Sequence, residues 1–232
     1  MKVYVTGDTH IPYDIHKLNK VNFPEGSTLT KKDIVIVLGD FGLIWYGENS
    51  KEAMKEEKWW TNRLDNKPWT TMFVDGNHEN FDRLKLFPTA TMYGGKVGVI
   101  SKSIFHMHRG EIFNIAGKKI LTFGGAESTD KQHRREFTSW WKDEIPNYAE
   151  MLYCFDNAIK HKPDFILSHT CPASIIPAFI PYTDILNDPV SIFFDKLAES
   201  YPDFENWYFG HMHKDITYKN YRCCYNDIIR II

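Results

Sequence analysis

Five times along this chain a short apolar run breaks directly into a cluster of Asp, Asn or His, and that pattern narrows the folds open to it. Val3–Val5 leads into Gly7-Asp8-Thr9-His10, and Ile34–Leu38 into Gly39-Asp40-Phe41-Gly42. Met72–Val74 leads into Gly76-Asn77-His78-Glu79, Phe165–Leu167 into Ser168-His169, and Trp207–Phe209 into Gly210-His211-Met212-His213. Ile120–Phe123 is a similar run followed by Gly124-Gly125. All six are rich in β-branched or aromatic residues and bounded by turn formers, which predicts buried strands. Helical spacing lies between them. Ser50–Leu64 opens on a Ser cap and carries Ala53, Met54, Trp60 and Leu64 among charges. Tyr148–Lys160 places Met151, Leu152, Phe155 and Ile159 on one stripe, and Val190–Leu197 is a shorter version. Val97–Phe123 reads as an antiparallel meander without a helix, and Ile216–Ile232 alternates in short pieces. The expected class is α/β, with mixed sheets and helices outside.

No repeat, low-complexity tract or flexible linker divides the 232 residues, so one domain over 1–232 is expected. Hydrophobic residues at 43% and charged residues at 25% exclude a disordered chain. The 28 basic and 30 acidic side chains leave −2 at pH 7, which supplies no basic field for nucleic acid or anionic lipid. Cys154, Cys171, Cys223 and Cys224 form no CxxC pair, so reduced thiols are expected. No run reaches the ~18 apolar residues of a membrane span. The first residues are too short an apolar stretch for a secretory leader, and a cytoplasmic protein is expected.

In open α/β sheets, groups at the carboxyl ends of strands collect along one edge, where ligands bind. That edge would gather Asp8, Asp40 and Asn77 with His10, His78, His169, His211 and His213. Such a set exceeds what one ion needs and suits two divalent ions about 3.5–4 Å apart, bridged by one carboxylate. Without a thiolate, the mixed oxygen and nitrogen donors favour Mn, then Fe, Zn, Ni or Co, over Mg or Ca. Two such ions hold a hydroxide at neutral pH, polarise phosphoryl oxygens and stabilise in-line displacement. The expected reaction is therefore hydrolysis of a phosphate monoester or diester.

The ordered series GDTH, GDFG, GNHE, SH and GHMH, from residue 7 to residue 213, resembles the signature of the calcineurin-like metallophosphoesterase superfamily. The resemblance implies a four-layer fold, two mixed sheets packed face to face with helices on both outer faces. It implies that Asp8, His10, Asp40 and His213 hold one metal, and that Asp40 (bridging), Asn77, His169 and His211 hold the second. His78 matches the family's non-ligand histidine, which protonates the leaving oxygen or stabilises phosphoryl charge. The protein Ser/Thr phosphatase branch continues its second motif as GDxVDRG, whereas this chain reads Gly39-Asp40-Phe41-Gly42-Leu43-Ile44-Trp45. A closer likeness is to small bacterial and phage metallophosphoesterases, through Asp75–Asp82, Gly124–Arg134 and Trp140-Trp141.

Other polar residues read more plainly. His106-Met107-His108 imitates the His211 motif but lacks its Gly, and is expected at a surface or edge. His16, His133 and His161 are expected in solvent. Asp75 either closes a turn or orients a histidine. The Trp59-Trp60 and Trp140-Trp141 pairs read as packing residues. Lys131, His133, Arg134 and Arg135 form the densest positive cluster. It is either a solvated face or a phosphate clamp, with Arg134 the expected substrate contact because its planar guanidinium binds phosphate bidentately. Besides a small phosphorylated substrate, two alternatives are open: a metal-dependent nuclease and a metal-binding interaction module without turnover.

Overall fold

Alternation along a strand sorts its side chains onto two faces, and a strand apolar on both faces needs two covers. The computed structural model describes residues 1–47, 50–181 and 187–232. The chain begins with β1 (Val3–Thr6) and β2 (Ile34–Leu38), enters helix α1 (Lys51–Asp65) and returns through β3 (Thr70–Val74) to the short helix α2 (Phe81–Leu84). Next come β4 (Thr89–Met92), β5 (Gly95–Ser101), β6 (Ile104–Met107), β7 (Ile112–Ile115) and β8 (Lys118–Phe123). Helix α3 (Tyr148–His161), β9 (Phe165–Ser168), α4 (Pro189–Ser200) and β10 (Asn206–Phe209) follow, and then β11 (Ile216–Tyr218), β12 (Tyr221–Cys223) and β13 (Ile229–Arg230).

The strands form two mixed sheets. One has the order β13-β1-β2-β3-β6-β5-β4, the other β11-β12-β10-β9-β8-β7. In the first, β1, β2, β3 and β6 run parallel; in the second, β12, β10, β9 and β8 do. Val3, Val5, Ile34, Ile36, Leu38, Met72 and Val74 of the first sheet share one core with Phe113, Ile115, Ile120, Phe165, Leu167 and Tyr208 of the second. The alternate residues Tyr4, Val35, Val37 and Phe73 face away, and α1 covers them with Trp60 and Leu64. On the far side Leu121, Ile166, Trp207 and Phe209 pack against Cys154 and Ala158 of α3 and Phe194 and Leu197 of α4. The four layers are thus helix, sheet, sheet, helix.

Three local expectations are corrected. Val97–Phe123 is not one meander. Its first hairpin, β5–β6, joins the first sheet by pairing β6 with β3, while β7–β8 joins the second by pairing β8 with β9. The buried stripe of α3 is Cys154 and Ala158 flanked by Met151 and Phe155, and Leu152 and Ile159 lie exposed. Small residues sit at the centre because the helix lies close on the sheet. Of the two tryptophans in α1, Trp60 is buried and Trp59 is exposed, since neighbours on a helix point about 100° apart and one stripe faces the sheet. Ser50 caps α1 as expected, its side chain accepting from the Ala53 N–H. All four cysteines are free and buried. Among the described residues, no helix is long and apolar enough to cross a membrane.

Candidate metal centre

The loops that leave β1, β2, β3, β9 and β10 meet at one end of the two sheets, and their approach requires unusual backbone. Asp8, His10, Asp40, His211 and His213 all hold positive φ, between 32° and 64°. Asp and His visit this left-handed region more readily than most residues, and such strain concentrates at functional sites. Gly39 is at φ 83°, and a Cβ there would meet His169 Nδ1 at 2.1 Å. At Gly76 a Cβ would meet Asp40 Oδ1 at 2.1 Å, so both turns leave room for a ring or carboxylate and nothing more.

Asp40 is the centre of the arrangement. Its Oδ2 lies 3.2 Å from His10 Nε2 and 4.0 Å from His78 Nε2, while Oδ1 lies 3.3 Å from His169 Nε2. Oδ1 also accepts the His78 backbone N–H at 2.8 Å. The two oxygens of one carboxylate therefore face different ligand groups. Three sets of donor atoms fall within 4.8 Å of one another: Asp8, His10 and His213; His10, Asp40 and His78; and Asp40, His169 and His211. Asp8, fully buried, accepts the His211 N–H with both oxygens at 3.0 Å and stands 3.6 Å from His213 Nε2. Behind it, the buried Lys17 ammonium donates to the Gly7 and Asp8 carbonyls, at 2.7 and 3.1 Å, and to that of Tyr225.

The donor set fits cations. His169 Nδ1–H donates to the Leu38 carbonyl at 2.9 Å, which leaves Nε2 facing two oxygens, Asn77 Oδ1 at 3.1 Å and Asp40 Oδ1 at 3.3 Å. A lone pair between two oxygens is repulsive, and only a proton or a metal ion relieves it. Burial works against a charged ring there, but the Asp40 carboxylate outweighs it and lifts His169 to about 10. Burial also opposes the Asp40 charge, yet His169 and His10 hold the carboxyl well below its ordinary value. His211 goes the other way, pushed down to about 3 by burial and then by His169. Its Nε2 is buried without a hydrogen-bond partner, a neutral donor with its lone pair free.

A second layer aims the ligands. His10 Nδ1–H donates to Asp14 Oδ2 at 2.8 Å, which turns Nε2 toward Asp40. Asn77 Nδ2 donates to Ser128 Oγ at 3.2 Å, so its Oδ1 faces inward, and Ser128 in turn donates to the buried Glu144 through Oγ (2.6 Å) and N (2.8 Å). The buried Glu79 accepts the Phe41 N–H at 2.8 Å and locks the second loop to the third. Burial, with Asp40 nearby, raises the Glu79 carboxyl well above its ordinary value. The sequence assigns no role to Asp14, Ser128 or Glu144, nor to Glu79 within the Gly76-Asn77-His78-Glu79 cluster. The His10-to-Asp14 spacing was a usable signal; Ser128 and Glu144 carry none, because their loops meet only in the fold.

His78 stands at the open side, its ring stacked on Trp45 at 5.4 Å between centroids. Burial, followed by the Arg134 charge, lowers its pKa despite Asp40. Arg134 Nη2 donates to His78 Nε2 at 2.8 Å, Nε pairs with Asp130 at 2.7 Å, and Nη1 is buried without a partner. Of the positive cluster, Arg134 alone turns inward; Lys131, His133 and Arg135 are exposed. The surface placement of His106 is corrected. Its ring stacks on Phe73 and its Nε2 lies 3.0 Å from Asp75 Oδ1, a buried carboxylate also held by Arg109. Asp75 thus orients a histidine outside the metal set. His16 and His133 are exposed as expected, and His161 is half-buried.

The profile of calcineurin-like phosphoesterases matches residues 1–215. The chain belongs to that family. It is also similar to the lariat debranching enzyme of Saccharomyces cerevisiae (strain ATCC 204508 / S288c), 27% identical over 167 residues. That match takes in 63% of this chain and 39% of the yeast enzyme, so the chain spans well under half of that relative's length. The matched region of the family profile contains every candidate ligand from Asp8 to His213.

Proposed function

We propose that the chain is a two-metal phosphoesterase acting on a small phosphate monoester or diester. The observation that carries this reading is the placement of Asp40, buried itself, whose two oxygens each face a separate group of histidine nitrogens. Asp8, His10, Asp40 and His213 would hold one ion, and Asp40, Asn77, His169 and His211 the other. Two such ions, when bound, supply a nucleophile at neutral pH and neutralise charge on the phosphoryl oxygens. Their identity is proposed as Mn first, with Fe, Zn, Ni or Co as substitutes.

The chain's own residues do the rest. His78 presents Nε2 at the open side, where, released from the Arg134 donor and protonated from solvent, it gives that proton to the ester's leaving oxygen. Arg134 brings the unpaired Nη1–H, buried beside His78, to a non-bridging phosphate oxygen. Asp14 and Ser128 keep His10 and Asn77 turned inward as substrate enters. The net charge of −2 favours a small substrate over a nucleic acid, and the single domain and cytoplasmic setting belong to the same proposal.

The test is hydrolysis of p-nitrophenyl phosphate beside its bis ester, with Mn added and after exhaustive chelation. The likeness to a debranching enzyme is the reason to include the diester. Turnover of either ester that chelation removes and Mn restores is expected. Bound metal without turnover of either would replace this reading with an interaction module.

A further inference from the structure

A cleft of about 380 Å³ opens beside the metal centre, shares His10 and His78 with it, and is walled by Tyr13, Trp45 and Tyr46. Its size lies within the roughly 300–1,000 Å³ of small-molecule sites. The three aromatic residues are not there to fill a core. Tyr13 is 75% and Tyr46 42% exposed, and single exposed aromatics are ordinary whereas a cluster flanking a reaction centre is not. Trp45 is fixed in place, stacked on His78 and meeting Trp141 edge-on at 5.6 Å. Tyr13 and Tyr46 both line the cleft, and burial, then the Tyr13 hydroxyl, raise the Tyr46 hydroxyl above its ordinary value. Among the described lining residues there is no Lys or Arg, and the one carboxylate, Asp14, is engaged by His10. The cleft therefore offers flat π-faces and no site for a second phosphate. The cation that suits a phosphate, Arg134, contacts His78 and does not line the cleft.

Resting on the phosphoesterase reading, we infer that this cleft binds a planar aromatic substituent of the substrate while the phosphate occupies the metal centre. A nucleobase and a simple aryl ring share that chemistry. Stacking on an aromatic side chain tolerates any base, because each presents a π-face.

The test uses the full metal-loaded chain and three phosphoesters: a nucleoside monophosphate, phenyl phosphate and glycerol phosphate, each also as its methyl diester. The reading is the ratio of kcat/KM for the aromatic ester to that for the glycerol ester. In the Tyr13→Ala/Tyr46→Ala double variant this ratio should fall about 5- to 150-fold, the range of one stacking contact, and Tyr46→Phe should keep it. A fall for the nucleotide alone identifies a nucleoside; a fall for both aromatic esters identifies any aryl ring. A ratio unchanged within about twofold in the double variant overturns the inference. If the wild type turns over none of the esters, the phosphoesterase reading fails separately, and binding decides the cleft. Saturable quenching of tryptophan fluorescence by the nucleotide, lost in the double variant, would sustain it. Absent quenching, or quenching that survives both substitutions, would overturn it.

Discussion

Replacing Arg109 by Ala perturbs a network of Arg109, Asp75 and His106 that lies outside the metal set. Arg109 donates to Asp75 Oδ2 through Nε (2.8 Å) and Nη2 (2.5 Å), and to the Asp143 carbonyl at 2.9 Å. Asp75 is 1% exposed, and its other oxygen lies 3.0 Å from His106 Nε2. Burial disfavours the Asp75 charge, but Arg109 and then His106 overcome it and hold the carboxyl well below its ordinary value. Arg109→Ala leaves that carboxylate buried with one partner, a change that costs about 3–5 kcal/mol. For a domain of this size about 2–4 °C of Tm is lost per kcal/mol, so a fall of roughly 6–20 °C is expected. Thermal and urea unfolding at pH 7 measure it. A carboxylate whose folded pKa is depressed contributes stability above its unfolded value, about 3.9, and loses it as pH falls through the lower folded value. The gap between wild type and variant should hold from about pH 5 to 8 and close only in stronger acid. Asp75→Asn added to Arg109→Ala should recover part of the loss, since no charge is then stranded. A loss under about 1 kcal/mol, the worth of an exposed pair, would refute the claim that this network is desolvated and paired.

Three further outcomes follow from the site. His78→Ala should keep its metal yet lower kcat by roughly 10²–10⁴, most for alkyl leaving groups and least for p-nitrophenolate; equal losses on both would assign His78 to charge stabilisation instead. Arg134→Ala should lower kcat/KM about 10- to 150-fold without loss of metal, with Arg134→Lys intermediate and the exposed Arg135→Ala near wild type. Asp14→Asn should weaken metal binding about 10- to 100-fold by freeing the His10 ring, which titration against a competing chelator reads directly.

The six apolar runs and the five loops after them were legible because each is a local signal: a strand pattern followed by residues suited to sharp turns. Their convergence was legible too, since parallel strands bring their carboxyl ends to one edge. What stayed hidden depends on partners far away in the chain. Nothing local tells β6 to pair with β3 and β8 with β9, because both hairpins carry the same alternation. His106 reads as a surface residue until Asp75, 31 positions away, supplies its partner. In α3 the large residues mark the wrong centre of the stripe, because the fully buried positions are the small Cys154 and Ala158. Arg134 could be singled out from its neighbours only as the one placed to reach past Gly124-Gly125. Its hydrogen bond to His78 and its unpaired Nη1 are properties of the folded loop.

The proposed site depends on Asp40 joining two ions. Elemental analysis of the Mn-reconstituted, desalted protein, with native mass spectrometry of the same sample, counts them per chain. Two ions are expected in the wild type, and loss of both sites' occupancy, at matched Mn, in Asp40→Asn, whose neutral amide no longer screens two cations. One ion per chain in active wild type, or two retained undiminished by Asp40→Asn, would contradict it.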